Sequence, residues 1–193
     1  WDYDKLARDY RGRFSSALEL AEDNFVRLIE GDAITQLRYP IGFGTPPAKN
    51  RQRISVLDLG CSTGEFLDRH REIGTALCFD EYAGVDVSAE MLARAKDLHA
   101  ERGRSGNLSF VQADASNLID LCEKLPPRMP RTFDLVIAGF GALNYAGLPS
   151  LHNALLLLRN TGRAVFTLYG PAHSYRAGRG YNETELDSYS IRT

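Results

Sequence analysis

The feature of this sequence best suited to chemistry is an aspartate followed by a turn of small residues. The apolar pair Val56-Leu57 leads into Asp58, and Gly60 and Gly64 frame the turn that follows. Glycines let the backbone approach a ligand with no side chain in the way. The sequence contains neither the Gly-x-Gly-x-x-Gly of dinucleotide sites nor the Gly-Lys-Ser of phosphate loops. The acid and its turn therefore favour a ligand that lacks phosphates and carries a positive ammonium or sulfonium group.

Two more aspartates follow strand-like segments. Asp86 ends the run Gly84-Val85-Asp86, and Asp114 comes shortly after another apolar run. Taken singly, an aspartate at the end of a strand is often only a turn or cap residue. The ordered set of three acids, each after its own predicted strand, indicates a shared binding role instead. Asp134, at the start of a strand, is expected to cap or pair locally.

The elements that must position these acids alternate along the chain. We predict strands at 54–58, 82–86, 108–112, 133–138 and 163–169, and helices at 65–73, after the cap residue Ser88, and at 150–159. Such alternation is typical of an α/β domain with a parallel sheet covered on both faces. Right-handed crossovers place the carboxyl ends of all strands at one edge, where open α/β sheets bind ligands.

The N-terminal region has a different pattern. Apolar residues recur at three- and four-residue intervals over 3–29, which predicts helix, and 39–50 is rich in proline and glycine, which predicts a loop. We therefore divide the chain into an N-terminal region of helices and loop, 1–50, and a core, 51–193.

The turn after the first strand resembles motif I of the class I S-adenosylmethionine-dependent methyltransferases, an acid followed by three glycines at alternate positions. Asp58, Gly60, Ser62 and Gly64 occupy those positions, with serine at the middle one. The resemblance covers 54–169 and implies a Rossmann-like, doubly wound, mostly parallel sheet with N-terminal helices. It also implies a terminal antiparallel strand pair, of which the sequence holds at most the beginning, from Ser190. The implied cofactor is S-adenosylmethionine and the product S-adenosylhomocysteine.

The same resemblance implies a role for each of several residues. Asp86 would accept hydrogen bonds from both ribose hydroxyls, Met91 would pack on the adenine, and Asp114 would meet the adenine amino group. The N-terminal region would fold over the cofactor, with Tyr10 near its methionine end. The full set of expected cofactor contacts is Asp58, Gly60, Cys61, Ser62, Gly64, Asp86, Val87, Met91, Asp114, Ala115, Gly139, Phe140 and Tyr10.

The acceptor is expected after the fourth and fifth strands. Asn144 and Tyr145 follow the fourth strand, and His173 lies in the loop that leaves the fifth. These three are the candidate substrate contacts, and Tyr145 and His173 are also candidates for a catalytic group. Phe140 and Leu143 fit equally well as packing under the next helix. The remaining histidines, His70, His99 and His152, are expected in solvent.

Composition excludes several classes of partner. The chain of 193 residues carries 23 Lys and Arg against 25 Asp and Glu, a net charge of −2 that offers no basic excess for nucleic acid. Its three cysteines form no metal-ligand pattern with the histidines, and no apolar run reaches the length of a membrane span. We expect no metal, no membrane and a cytoplasmic setting, whereas the oligomeric state is left open.

The features together predict a methyltransferase that modifies nitrogen or oxygen of a small molecule. After the fourth strand, Ala138-Gly139-Phe140-Gly141 replaces the Asn/Asp-Pro-Pro-aromatic signature of enzymes that methylate nucleic-acid amino groups, and the paired-glutamate loop of protein arginine enzymes is also missing there. The alternative is a protein that keeps the cofactor site without turnover, as a binding or partner protein. A nicotinamide-dependent oxidoreductase is disfavoured by the missing glycine fingerprint.

Overall fold

The computed structural model describes residues 53–72, 79–103, 107–139, 141–169 and 186–192, together with Ile29 and Leu37. In chain order its elements are β1 (Ser55–Leu59), α1 (Glu65–Glu72), β2 (Glu81–Asp86), α2 (Ala89–Leu98), α3 (Ala100–Gly103), β3 (Leu108–Gln112), α4 (Leu118–Lys124), β4 (Phe133–Ala138), α5 (Ala142–Leu156), β5 (Leu158–Tyr169) and β6 (Leu186–Arg192). Strands alternate with helices from β1 to β5, as predicted.

The strands form one sheet in the order β3-β2-β1-β4-β5-β6. The five strands β1 to β5 are parallel to their neighbours, and β6 pairs antiparallel with β5. The chain winds outward from β1 to β3 and then crosses back to β4 on the other side of β1. The strand order therefore reverses between β1 and β4, and the carboxyl ends of strands at such a reversal are where open α/β sheets bind ligands.

The central strand β1 shows why these sequences form a covered parallel sheet. All five of its residues are buried. Because side chains alternate along a strand, Leu57 and Leu59 enter the apolar cluster on one face, and Val56 enters the cluster on the other. Asp58 shares the face of Val56, so a carboxylate sits at the end of an otherwise apolar row. Ile29 and Leu37, from the N-terminal region, pack into that second cluster.

The helix that follows β2 begins where the sequence predicted. Ser88 is its cap residue, and the Ser88 side chain accepts a hydrogen bond from the Met91 N–H at 3.1 Å. Met91, Leu92 and Ala95 are the buried face of α2. The cap therefore fixes the entry of the chain into α2 directly after Asp86.

Three elements near the C-terminus begin earlier than predicted. Helix α5 begins at Ala142, and a kink at Gly147, at φ 77° and ψ −178°, divides it into two helical segments. The helix predicted from residue 150 corresponds to the second segment, and the first segment was not predicted. Strand β5 begins at Leu158, five residues before its predicted start. The terminal antiparallel strand, expected from Ser190, begins at Leu186. Asn144 and Tyr145 consequently lie on the first turn of a helix.

Candidate functional site

The turn after β1 is built from left-handed backbone positions. Gly60, Ser62 and Gly64 have φ values of 72°, 52° and 85°. The Gly60 N–H donates to the Val85 carbonyl of β2 at 2.8 Å, which ties the turn to the neighbouring strand. A Cβ atom added at Gly60 would lie 2.6 Å from the Cβ of Ala142 on α5. Glycine at this position therefore lets the turn and the start of α5 approach each other closely.

Ser62 takes the place that glycine usually holds in this turn. Left-handed geometry costs a serine roughly 1–2 kcal/mol, so the surroundings must hold it there. Its N–H donates to Oδ2 of Asp86 at 2.9 Å, and its hydroxyl lies 3.4 Å from the Met91 sulfur. The serine therefore links the turn to the end of β2 and to α2.

Asp86 is half-buried at the carboxyl end of β2. Its Oδ2 accepts the Ser62 N–H and its Oδ1 accepts the Ser88 N–H, both at 2.9 Å. One donor from the turn and one from the cap of α2 thus fix the orientation of the carboxylate. Each carboxylate oxygen has two lone pairs, so an oxygen that accepts a backbone N–H can also accept a ligand hydroxyl.

Asp58 is buried, with 4% of its surface exposed. The Tyr82 hydroxyl donates a hydrogen bond of 2.6 Å to its Oδ2. Burial raises the pKa of the Asp58 carboxyl group from 3.8 to about 7, the Tyr82 hydrogen bond opposes this, and the carboxylates of Glu65 and Asp86 add to it. A carboxyl group that lies near other carboxylates is suited to binding a positively charged ligand.

Asp114 is exposed just beyond the carboxyl end of β3. Its Oδ1 accepts the Ser116 N–H at 2.8 Å and the Ser116 hydroxyl at 2.7 Å. Its own N–H donates to Oδ2 of Asp120 at 2.9 Å. The register pairs Asp86 with Gln112, so the turn at Asp114 is adjacent to the end of β2. The three aspartates therefore belong to three neighbouring strands at one edge of the sheet.

The other residues expected to contact the cofactor differ in how far they are buried. Met91 is 1% exposed, whereas Val87 is 52% exposed next to Asp86. Cys61 is buried, and burial raises the pKa of its thiol well above the ordinary value, with the carboxylates of Asp58, Asp86 and Glu65 acting in the same direction. Gly139 is half-buried at the end of β4.

Ala115 is hydrogen-bonded to a side chain of α5. It is buried, and its carbonyl accepts a hydrogen bond of 3.0 Å from the buried Asn153 side chain. Asn153 was not a sequence candidate. The signal available was a polar residue inside an apolar helical segment, which sequence periodicity alone does not distinguish from a surface position.

Two of the residues expected to contact the acceptor, Asn144 and Tyr145, lie at the start of α5. Asn144 and Tyr145 are both exposed there, while Leu143 is buried in the core. The Gly141 N–H donates to the Thr167 hydroxyl of β5 at 3.4 Å, which joins the helix start to the sheet. Tyr10, Phe140 and His173 lie outside the described residues.

The histidine expectations have different outcomes. His152 is exposed on α5, as predicted, but His99 is buried, so the prediction of a solvated His99 is wrong. The His99 ring stacks on Phe110 with centroids 5.9 Å apart, and its Nε2 lies 3.8 Å from an Asp68 oxygen. A Cβ atom at Gly64 would lie 2.6 Å from that nitrogen, so the glycine leaves the space that His99 fills. The His70 side chain lies outside the described part of the structure.

Two negative findings apply to the described part of the chain. It contains no group of three or more His, Cys, Asp or Glu side chains arranged to hold a metal ion. Among its helices, none combines the length and apolar character needed to cross a bilayer.

Comparison with known proteins gives matches over the same region. A family model described as a methyltransferase domain matches residues 56–162. An uncharacterized protein of Methanocaldococcus jannaschii is 28% identical over 167 residues, covering 86% of this chain and 49% of that protein. The ubiquinone/menaquinone biosynthesis C-methyltransferase UbiE of Pseudomonas paraeruginosa is 30% identical over 138 residues, covering 70% of this chain and 48% of that enzyme.

A solved structure supports the fold assignment. The S-adenosylmethionine-dependent methyltransferase of Clostridium acetobutylicum is similar with a TM-score of 0.50 and 20% identity, covering 87% of this chain and 58% of that one. The chain spans about half the length of the curated relatives it matches.

Proposed function

The chain belongs to the class I S-adenosylmethionine-dependent methyltransferases, and we propose that it transfers a methyl group to nitrogen or oxygen of a small-molecule acceptor. The observation that carries the cofactor half of this proposal is Asp86. Its carboxylate is oriented by the N–H groups of Ser62 and Ser88, at the edge where the sheet order reverses. A carboxylate held in this way is suited to two adjacent ribose hydroxyls.

The carboxylates of the site fit the remaining groups of S-adenosylmethionine. The cofactor has no phosphate and carries a sulfonium and an ammonium, and the site offers the carboxylates of Asp58, Asp86 and Asp114. We assign Asp114 to the adenine amino group and the Asp58 side to the methionine end. The turn backbone at Gly60 and Gly64 would lie along the cofactor. Cys61, Ala115, Gly139 and Phe140 remain proposed contacts.

The burial of Met91 and the exposure of Val87 lead us to revise the proposed adenine contact. Met91 is 1% exposed and supports the turn through Ser62, whereas Val87 follows Asp86 and is 52% exposed. Apolar surface at that edge is what an adenine face would cover. We therefore assign the adenine contact to Val87 and treat Met91 as the residue beneath it.

In the proposed reaction, the main role of the residues of this chain is to orient the acceptor and the cofactor. When bound, S-adenosylmethionine supplies a methyl group on a sulfonium, which is already an excellent leaving group. Asn144 and Tyr145, exposed on the first turn of α5, would hold the acceptor in line with that methyl. His173 stays a proposed acceptor contact, and the N-terminal region with Tyr10 is proposed to cover the cofactor and exclude water.

One comparison favours a second acceptor atom. The similar UbiE enzymes are named as C-methyltransferases, so carbon is the second candidate for the methylated position. A cofactor-binding protein without turnover is the non-enzymatic alternative. Nitrogen, oxygen and carbon acceptors would give different methylated products from the same cofactor site, and the non-enzymatic alternative would give none.

Calorimetric titration tests the cofactor half of the proposal. We expect S-adenosylmethionine and S-adenosylhomocysteine to bind, and NAD to give no signal. Binding of NAD alone would overturn the assignment.

Transfer is tested with ¹³C-methyl S-adenosylmethionine and a fractionated small-molecule extract, followed by NMR of the labelled product. The ¹³C chemical shift of the transferred methyl distinguishes carbon, nitrogen and oxygen acceptors. Tight cofactor binding with no labelled product from any fraction supports the non-catalytic alternative.

A further inference from the structure

A buried tyrosine on β2 is hydrogen-bonded to Asp58, the acid that precedes the turn after β1. Tyr82 is fully buried on β2, and its hydroxyl donates to Oδ2 of Asp58 on β1 at 2.6 Å. The register pairs Tyr82 with Val56, so the hydroxyl meets an acid two residues further along the neighbouring strand. The side chain therefore leans toward the carboxyl edge, where the cofactor is proposed to bind.

A glycine makes this reach possible. Gly84 is the residue paired with Asp58 in the register. A Cβ atom at Gly84 would lie 3.0 Å from Cε1 of Tyr82 and 2.8 Å from the Cys61 sulfur. A side chain at this position would therefore crowd the Tyr82 ring and the Cys61 sulfur. Gly84, Tyr82 and Asp58 thus form one arrangement across β1 and β2.

Aromatic rings fix the tyrosine from several sides. The ring centroids of Phe66, Phe79 and Phe110 lie 6.4, 5.7 and 6.0 Å from that of Tyr82. Packing of this kind restricts the ring to one orientation and keeps water away from its hydroxyl. The hydroxyl is consequently a fixed donor directed at Asp58.

The charged and titratable groups that act on Asp58 come from the turn, α1 and β2. They are Glu65 at the start of α1, Asp86 at the end of β2, the Tyr82 hydroxyl and the Cys61 thiol. Burial raises the pKa values of Tyr82 and Cys61 well above their ordinary ranges, so both stay neutral near pH 7. Of the three groups whose pKa is raised, Asp58 is the one that titrates near pH 7 and so can change its charge when a cation binds.

We propose that Tyr82 is a positioning residue for the cofactor: its hydroxyl holds the Asp58 carboxyl group toward the cationic methionine end, and cofactor binding releases one proton from Asp58. The inference rests on the proposed function. The O–H bond of the Asp58 carboxyl group breaks, its proton passes to the buffer, and the resulting carboxylate pairs with the bound cation. No electron transfer is involved.

The pH dependence of affinity follows from this pairing. Cofactor affinity rises with pH while Asp58 ionises and levels off above its pKa of about 7 in the ligand-free protein. The Tyr82 hydrogen bond favours the ionised form, so Tyr82→Phe raises the pKa of Asp58. The midpoint of the affinity profile then moves to higher pH, an effect that packing loss alone would not produce.

The test is calorimetric titration of S-adenosylhomocysteine from pH 6 to pH 9 in buffers of different ionisation enthalpy, which yields the number of protons released. For the wild type we expect about one proton at pH 6, falling as the pH passes through 7. Asp58→Asn is expected to release about one proton fewer than the wild type at pH 6. Tyr82→Phe is expected to keep releasing a proton at pH 8. Asp80→Asn, on the opposite edge of β2, should match the wild type.

Each alternative result has a defined meaning. Identical proton counts in the wild type and Tyr82→Phe across the range would overturn the role of Tyr82. If Tyr82→Phe fails to fold, as judged by circular dichroism, the comparison of wild type with Asp58→Asn decides, and equal counts would refute the proposal. If S-adenosylhomocysteine binds at no pH, the proposed function itself fails, which is distinct from binding with no linked proton.

Discussion

Aspartates at the two edges of the sheet are equally buried but have different partners. At the amino edge, Asp134 is 2% exposed, accepts the Ser55 N–H and hydroxyl at 2.9 and 2.8 Å, and pairs with Arg159. At the carboxyl edge, Asp58 is 4% exposed and accepts a hydrogen bond from the neutral Tyr82 hydroxyl. Its charged neighbours are the carboxylates of Glu65 and Asp86.

The difference separates a structural carboxylate from one suited to a ligand. A buried carboxylate with a cation and two further donors from its own chain is compensated within the fold. A buried carboxylate among other acids gains most from a cation that comes from outside. Burial alone would not have distinguished Asp134 from Asp58, and the partners do.

The largest effect is expected at the amino edge. Asp134→Ala removes the partner of a buried ion pair and leaves the Ser55 donors unpaired, so we expect a loss of about 3 kcal/mol of unfolding free energy. Urea unfolding measures this change. Affinity of the folded fraction for S-adenosylhomocysteine should stay within about twofold of the wild type. A large affinity loss without destabilisation would contradict the structural assignment of Asp134.

A smaller, pH-dependent effect is expected for Asp58→Asn. Because the folded protein raises the pKa of Asp58 from 3.8 to about 7, it holds this proton more tightly than the unfolded chain does. The group's contribution to stability is therefore present at low pH and lost as the pH rises through 7. Between pH 5 and pH 8.5, stability of the variant should gain roughly 2–3 kcal/mol relative to the wild type.

Urea unfolding at the two pH values checks this expectation. Asp134→Asn serves as the control, because Asp134 already has a cation beside it. A difference between wild type and Asp58→Asn that is constant with pH would show that Asp58 is ionised throughout.

The carboxyl edge was the more predictable part of the molecule. Small-residue turns, cap residues and apolar runs are local signals, and they located Asp58, Ser62 and Asp86 on the correct elements. Strands β3 and β4 have the predicted bounds. Serine at the middle position of the turn also fits, because its N–H contacts Asp86 while its backbone adopts the φ of 52° that glycine usually supplies.

Long-range pairing was the part that sequence could not reveal. Ser55 and Asp134 are 79 residues apart, so local reasoning about Asp134 had no means of finding its partner. The Tyr82 contact with Asp58 depends on strand order and on the space at Gly84. His99 is buried because Gly64 leaves room for it, a tertiary effect that a surface-like helical position does not signal. The first segment of helix α5 was not predicted, because Gly147 separates it from the second segment and glycine interrupts the local helical pattern.

The two ends of β2 offer a matched pair of variants. Asp80 precedes the strand and accepts the Ile54 N–H at 2.9 Å, and Asp86 ends it and accepts two N–H groups at the same distance. Asp86→Ala should lower the affinity for S-adenosylhomocysteine by about 30-fold, or 2 kcal/mol, through loss of charge-assisted bonds to the ribose. Asp80→Ala should leave the affinity unchanged. Calorimetric titration of both variants gives the comparison, and equal losses would place the ribose elsewhere.

The smallest effect is expected at Asp114, because its carboxylate is exposed. Both Ser116 bonds fall on its Oδ1. Asp114→Asn can therefore keep the turn while replacing the other oxygen with an amide N–H₂. That group cannot accept a hydrogen bond from the adenine amino group, so the affinity for S-adenosylhomocysteine should fall about fivefold, or 1 kcal/mol.

A change in the nucleobase of the ligand provides the control for Asp114. S-inosylhomocysteine carries a carbonyl oxygen where adenine has its amino group, so an asparagine N–H₂ can donate to it and an aspartate cannot. We expect the wild type to prefer S-adenosylhomocysteine and Asp114→Asn to narrow or reverse that preference, with an unchanged melting temperature. A preference that does not respond to the substitution would mean that Asp114 shapes the loop after β3 without contacting the base. The carboxyl edge would then hold two ligand-binding acids, Asp58 and Asp86, and one structural acid comparable to Asp134.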